Sequence, residues 1–215
     1  MKKVIIGFMV IAMMGFMVGT AMADFVEVVQ LKELNVSPGS PVSFYGGGNW
    51  QTGVYNFQIQ SGTFAGIYGG FCVDPASSNT SYSAYQINTV THDGNYDVAA
   101  WLLRQYKTVA GISAVSTQAA IWEALFETAV GPLSLKTGNF GTTNSINTLA
   151  DTYLALALAN ADSMDLSGFY LAQSPAGGPY FNNYAQDYIF MTPEPGTLLL
   201  MGLGLVGLAG LRRKE

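Results

Sequence analysis

The sequence predicts an α+β domain that is rich in β-sheet and contains a central group of about three helices. Segments with strand-like alternation lie towards both ends of residues 24–191, and segments with helical spacing of apolar residues lie between them. The composition agrees. With 11% charged and 13% aromatic residues, 25 glycines and 12 tyrosines, it is typical of a β-rich secreted domain. The 215 residues are enough for one compact domain with a real core.

The N-terminus has the pattern of a secretory signal peptide. Lys2 and Lys3 form a basic start, residues 4–18 are nearly all apolar, and Ala21-Met22-Ala23 fits a small-residue cleavage site. We therefore expect residues 1–23 to be removed. A lipoprotein is not expected, because the only cysteine, Cys72, lies far beyond that site.

Strands are predicted on both sides of the central helices, because these segments alternate apolar and polar residues and are bounded by Gly, Pro and Ser. The triple glycine at 46–48 is interpreted as a flexible loop, since no helix opens after it as a dinucleotide fingerprint requires. Cys72 is expected on a strand or just past its end. The predicted segments are strands 25–29 and 42–45 around a turn at 37–41, a hairpin of 54–60 and 62–68, a polar surface loop at 75–95 containing one short strand, and closing strands 166–172 and 184–191 around a turn at 174–179.

Three helices are predicted from apolar spacing and from their terminal residues. The first runs from a cap at Asp97 to about residue 107, and the second runs from a cap at Ser116 to about residue 128. The third spans about residues 143–161. Its expected core positions are Ile146, Leu149, Tyr153, Leu156 and Ala157.

The C-terminus, residues 192–215, carries a second targeting signal. Pro193-Glu194-Pro195 precedes an apolar run at 196–211, and Arg212, Arg213 and Lys214 follow it. The run spans about 24 Å as a helix against a hydrocarbon core of about 30 Å, so a membrane anchor would be short. Its basic end would lie in the cytoplasm, with the domain outside.

This three-part tail resembles the PEP-CTERM sorting signal of Gram-negative bacteria. The resemblance implies processing by an exosortase-type protease and transient anchoring in the inner membrane. The protein would then reside in the cell envelope, at the outer surface or in the extracellular matrix. A simple C-terminal tail anchor is the alternative.

The second predicted helix presents a glutamine on its apolar face. Gln118, Ile121, Trp122 and Leu125 share one face at helical spacing. A buried carboxamide without partners costs roughly 1–3 kcal/mol. Gln118 is therefore expected to be satisfied in the core or chemically altered.

Two motifs together resemble the thioester domains of bacterial surface adhesins: Phe71-Cys72-Val73-Asp74 and Thr117-Gln118-Ala119-Ala120-Ile121-Trp122. Residues 97–106 resemble the helix which that family places between them. The resemblance implies a thioester-type domain in which Cys72 and Gln118 join autocatalytically, without enzyme turnover or cofactor. The bond would capture an amine on a protein or an amino sugar, in adhesion or in a biofilm matrix.

Four further residues are candidates to support such a bond, each with a structural alternative. Asp74 is a candidate to receive or relay a proton, or it serves a turn. Trp122 would exclude water, or is simply core. Thr117 would hydrogen-bond near the bond, or serve the helix start. His92, the only histidine, would assist as a near-neutral titrating group, or is an exposed loop residue.

Other functions remain open from the sequence. A non-covalent module that binds exopolysaccharide or another surface, with Cys72 free or paired between chains, is the main alternative. A cysteine hydrolase would need His92 within hydrogen-bond reach of Cys72, and one His with one Cys makes a metal site weaker still. The bond could also act only as a staple, worth about 4 kcal/mol by the loop formula for disulfides. Nucleic acid is not an expected partner, because the net charge is −5 without a basic cluster in the domain.

Overall fold

Four strands, a group of three helices and two further strands follow one another along the chain, the order expected for an α+β domain. The computed structural model describes residues 25–44, 48–74, 81–127, 132–137, 146–174 and 185–192. The predicted signal peptide, residues 45–47 of the glycine-rich segment and the tail beyond residue 192 lie outside these ranges. The elements are β1 (Phe25–Phe44), β2 (Gly48–Ile59), β3 (Gly66–Cys72), β4 (Ser83–Thr89), α1 (Tyr96–Thr108), α2 (Ala114–Phe126), α3 (Asn147–Asn160), a short 3-10 helix (Ala161–Ser163), β5 (Phe169–Gln173) and β6 (Tyr188–Met191).

All six strands of the described chain belong to one antiparallel sheet. Their order is β1-β2-β3-β6-β5-β4, and β4 pairs back onto β1, so the sheet closes into a barrel. The predicted hairpin of β2 and β3 is confirmed, with Ile59 opposite Gly66. The two predicted closing strands are also confirmed, and β6 lies between β3 and β5. The mixed α+β class follows from this sheet and its three helices.

The turn predicted at residues 37–41 is wrong, because β1 passes through it. The two predicted strands are the ends of this single strand. Its pairing with β2 shifts register between Ser37 and Ser40. Proline has no N–H for a sheet ladder and is tolerated at such irregularities. Pro38 lies within the shift, and Pro41 is back in register opposite Gln51, so neither proline ends the strand.

The segment predicted as a surface loop supplies an interior strand of the sheet. The short strand expected there is confirmed as β4, but it pairs with β1 on one side and β5 on the other. Tyr85 and Ile87 are fully buried while Gln86 between them is exposed. This period-two alternation is the mark of a half-buried strand, and the many polar neighbours obscured it.

The three predicted helices are confirmed, but both predicted caps are wrong. α1 follows Asn95, which has a left-handed backbone with φ of 62°, so Asp97 lies inside the helix. α2 begins at Ala114, after Ser113. The Ser113 hydroxyl accepts a hydrogen bond from the Ser116 N–H at 3.3 Å, so Ser116 is a buried residue of the first turn.

α3 buries a narrower face than its sequence predicts. Ala150, Leu154 and Ala157 are buried, whereas Leu149 and Leu156 are exposed. α3 packs on α1 and α2 through Ala150, Leu154 and Ala157, with Tyr153 at the edge of the contact, and Leu149 and Leu156 lie outside it. Among the helices in the described ranges, none combines the length and apolar character needed to cross a membrane.

Candidate functional site

Cys72 is the last residue of β3, where its backbone has a strand neighbour on one side only. It lies opposite Tyr188 of β6, and the next residue, Val73, donates its N–H to the Asp187 carbonyl at 2.9 Å. On the other side, the pairing of β3 with β2 ends at Gly70. The N–H and C=O of Cys72 on that side must therefore find partners elsewhere.

Gln118 supplies both partners. The Cys72 N–H donates to Gln118 Oε1 at 2.9 Å, and Gln118 Nε2 donates to the Cys72 carbonyl at 2.7 Å. The carboxamide thus replaces a neighbouring strand at this point and closes a ring of two hydrogen bonds. Both residues are fully buried. The two residues of the predicted pair, 46 positions apart in the chain, are in direct contact.

The Cys72 sulfur lies in a protein environment that favours the thiol over the thiolate. Burial raises the pKa of Cys72 well above its usual value, and the charges of Asp74 and Asp187 raise it further. Hydrogen bonds with the Asp74 backbone and the Trp122 indole act in the opposite direction. The thiol itself donates to the Asp74 carbonyl at 2.9 Å, a contact that favours the protonated form. A nucleophilic thiolate would therefore need a proton acceptor close by.

Two carboxyl groups lie near enough to Cys72 to influence it, and the sequence pointed to one of them. Asp74 has a raised pKa because of burial, but it is its main-chain carbonyl that meets the sulfur. Asp187 was missed. Burial raises the pKa of Asp187 to about 6, although its Oδ1 accepts the Ser174 N–H at 2.6 Å. A carboxyl that titrates near neutral pH is suited to proton transfer.

Two tryptophans lie on the α2 side of this site, Trp122 against Cys72 and Trp50 against Trp122. Trp122 lies one helical turn beyond Gln118 and is fully buried. Trp50 of β2, which the sequence analysis also missed, meets it edge to face with ring centroids 5.3 Å apart and an interplanar angle of 86°. Trp50 is only partly buried, so it is the outer ring of the two. A contact between residues so distant in sequence has no local signal.

The other two predicted supporting residues bond elsewhere. The Thr117 hydroxyl donates to the Ser113 carbonyl at 2.8 Å, which is the helix-start alternative. His92 Nδ1 lies 3.4 Å from Asp97 Oδ2, and the histidine side chain is half exposed. His92 lines a cleft of about 530 Å³ between the segments that follow β4 and precede β5. The contact with Asp97 favours the loop interpretation of His92.

A second buried polar cluster lies further along α2. Glu123 is fully buried, and its Oε1 accepts the Ser134 N–H at 2.8 Å. Asp151 of α3 accepts the Leu135 N–H through Oδ1 at 2.8 Å and the Ser134 hydroxyl through Oδ2 at 3.2 Å. Lys136 Nζ lies 3.6 Å from Asp151 Oδ2. We call Glu123 and Asp151, with the segment 132–137 that they hold, the carboxylate clamp.

Comparison with known proteins identifies the tail but not the domain. A family model described as the PEP-CTERM protein-sorting motif matches residues 192–214. The C-terminal segment is a PEP-CTERM sorting motif. It implies an exported protein of a Gram-negative bacterium that is processed by an exosortase and held transiently in the membrane. No curated protein and no solved structure matches the chain.

The described ranges contain no group of three or more His, Cys, Asp or Glu side chains placed to hold a metal ion. The residues that come together around Cys72 are instead a carboxamide, two carboxyl groups and two tryptophans. A thiol and a carboxamide in contact are groups between which acyl transfer is chemically possible.

Proposed function

We propose that this exported protein forms an internal thioester between Cys72 and Gln118 and uses it to capture an amine covalently. The observation that carries the proposal is the ring of two hydrogen bonds between the Gln118 carboxamide and the Cys72 backbone. It holds the Gln118 carbonyl group against the backbone of Cys72, the residue that carries the nucleophilic sulfur. Holding the reacting residues together in this way can remove a large part of the barrier to such a reaction.

The proposed reaction needs only groups that lie at the site. Asp187 or Asp74 takes the thiol proton, and the sulfur attacks Cδ of Gln118. The negative charge that develops on Oε1 is stabilised by the Cys72 N–H, which already donates a hydrogen bond to that atom. The C–N bond then breaks, Nε2 receives the proton, and ammonia leaves. An amine reverses the sequence by attacking the thioester and releasing the Cys72 thiol, so the protein modifies itself and has no turnover.

The sorting motif favours a location where such capture is useful. An exported domain meets proteins and amino sugars that carry free amines outside the cytoplasm. We therefore propose attachment to a surface or matrix component that bears an amine, with adhesion or matrix assembly as the result. The tail of the adhesins that the motifs resemble is of another type, so the target is left to experiment.

The deciding experiment is an intact mass of the exported protein before and after methylamine. We expect a mass low by one ammonia, and methylamine should add to Gln118. Cys72→Ser and Gln118→Ala should each show the full mass and no methylamine adduct. A wild-type protein of full mass with a titratable Cys72 thiol would overturn the proposal.

A second candidate function is favoured by the same ring. Two hydrogen bonds already satisfy the buried Gln118 carboxamide, so Gln118 would also serve as a structural pin with no covalent bond. The protein would then be a non-covalent module for exopolysaccharide or another surface, with a free Cys72. The full unmodified mass is the result that would select this function over capture.

A further inference from the structure

The ring between Gln118 and Cys72 uses one particular hydrogen of the carboxamide. Oε1 accepts from the N–H of Cys72 while Nε2 donates to the C=O of the same residue. Both bonds therefore leave the planar carboxamide on one side. The hydrogen that Nε2 donates is the one on the same side of the C–N bond as Oε1, and the second hydrogen points towards the Cγ side.

A substituent on Nε2 would compete for the position of that hydrogen. In the ordinary trans form of a secondary amide, the substituent lies on the oxygen side of the C–N bond and the hydrogen lies opposite. The substituent would then point at the Cys72 carbonyl, which lies only 2.7 Å from Nε2. The cis form would keep the ring, but it is populated on the order of 100-fold less.

We infer that this ring makes the capture of primary amines one-way while leaving the reaction with ammonia reversible. The inference rests on the proposed thioester and concerns what happens after it is attacked. Ammonia plus thioester gives the Cys72 thiol and an unsubstituted carboxamide. That carboxamide returns to the ring against the Cys72 backbone, from which the thioester forms again by the proposed reaction with loss of ammonia.

A primary amine leads to a different product state. Amine plus thioester gives the Cys72 thiol and an N-substituted carboxamide, with the amine proton passing to the sulfur. This product is excluded from the ring in its trans form, so Oε1 loses the hydrogen bond from the Cys72 N–H and the carbonyl loses the position in which the proposed reaction begins. Burial acts in the same direction, because Cys72 and Gln118 are fully buried and a substituent on Nε2 has to be accommodated in the core, where Trp122 packs against Trp50.

The test follows the mass of the full exported protein after each amine has been removed. The thioester form is treated with nitrogen-15 ammonia or with methylamine, desalted, and sampled over time. We expect the ammonia product to lose labelled ammonia and regain the thioester mass at the rate of the original reaction. The methylamine product should revert at least about 50-fold more slowly. Hydrolysis to glutamate gives nearly the same intact mass as the nitrogen-15 product. A parallel sample treated with unlabelled ammonia distinguishes it, because the glutamate product is then heavier than the ammonia product.

Equal reversion of the two products would overturn the inference while leaving the thioester established. A protein that never shows the mass of the thioester, before any amine is added, would instead overturn the proposed function and the inference with it. Trp50→Ala serves as the matched control, because it loosens the packing around Trp122 without changing either atom of the ring. The difference between the two amines should persist in this variant, and its disappearance would assign the effect to this packing and overturn the role of the ring.

Discussion

Two buried polar side chains of the same helix, Gln118 and Glu123, are held in opposite ways. Gln118 is neutral, and both of its polar atoms pair with the backbone of one residue. Glu123 is equally buried, but its Oε1 accepts the Ser134 N–H while its Oε2 has no hydrogen-bond partner among the described residues. A carboxamide offers a donor and an acceptor side by side, which match an exposed strand edge. An ionised carboxylate offers acceptors alone.

The comparison teaches which of the two contacts depends on pH. Burial raises the pKa of Glu123 to about 7, and the nearby charges of Glu127 and Asp151 raise it as well, against the hydrogen bond from Ser134. The carboxylate clamp therefore changes charge near neutral pH. The ring at Gln118 contains no titrating group, so its strength should be the same across that range.

The largest expected effect is the loss of the ring. Gln118→Ala leaves the buried N–H and C=O of Cys72 unpaired and opens a cavity, so we expect a loss of about 3–5 kcal/mol in the free energy of unfolding. Glu123→Ala should cost less, by at least about 1 kcal/mol, because only one of its oxygens has a partner to lose. Urea unfolding in a Cys72→Ser background would measure both without any covalent contribution. A larger loss for Glu123→Ala would contradict the comparison.

Converting one site into the other is a sharper test. In Gln118→Glu the ionised carboxylate cannot donate to the Cys72 carbonyl, and burial should raise its pKa. The variant should lose about 2 kcal/mol at pH 8 and less at pH 5, where the protonated carboxyl regains a donor. Urea unfolding at the two pH values, again in the Cys72→Ser background, would show it. A loss independent of pH would mean that the donor at Nε2 contributes little.

The sequence predicted the parts of this fold that depend on local spacing. The helices and the β2–β3 hairpin follow from periodicities within single segments, and so does the burial of Gln118 beside Trp122. The continuity of β1 was missed because its prolines are typical of a turn, and a pairing shift that accommodates them depends on a strand elsewhere in the chain.

The candidate site likewise contains residues that local patterns mark and residues that only the tertiary fold brings there. Cys72 and Gln118 were selected from two short motifs; the structure places them in hydrogen-bonded contact, and the covalent bond between them stays a prediction. Asp187 and Trp50 come to the site through the pairing of β6 with β3 and the packing of β2 on α2. No local pattern marks either residue, because the position of each depends on the order of strands in the closed sheet.

The pH dependence of the carboxylate clamp gives a smaller effect. The pKa of Glu123 is about 7 in the folded protein against 4.5 as the ordinary value. The folded state therefore holds the proton more tightly, and the free energy of unfolding should fall as pH rises between these values, by at most about 1.4 kcal/mol per pH unit. Glu123→Gln should remove this slope.

Asp187 sets the baseline for that measurement. Its pKa of about 6 is also raised, so it gives a slope of the same sign in both proteins. The difference between wild type and Glu123→Gln, from urea unfolding at intervals between about pH 5 and 8, isolates Glu123. Identical slopes would show that Glu123 titrates outside this range.

The smallest effect is expected at Lys136, although it supplies the only ion pair of the described residues that joins a lysine to a carboxylate. Its Nζ lies 3.6 Å from Asp151 Oδ2, and the lysine side chain is 52% exposed. Pairs of this kind contribute about 0–1 kcal/mol and are screened by salt. Lys136→Met should therefore cost no more than about 0.5 kcal/mol, and less in 0.5 M NaCl than in about 0.05 M. Asp151 keeps its bonds to the Leu135 N–H and the Ser134 hydroxyl in this variant. A loss above about 1 kcal/mol would therefore mean that charge pairing, and not hydrogen bonding to Glu123 and Asp151, holds the segment 132–137.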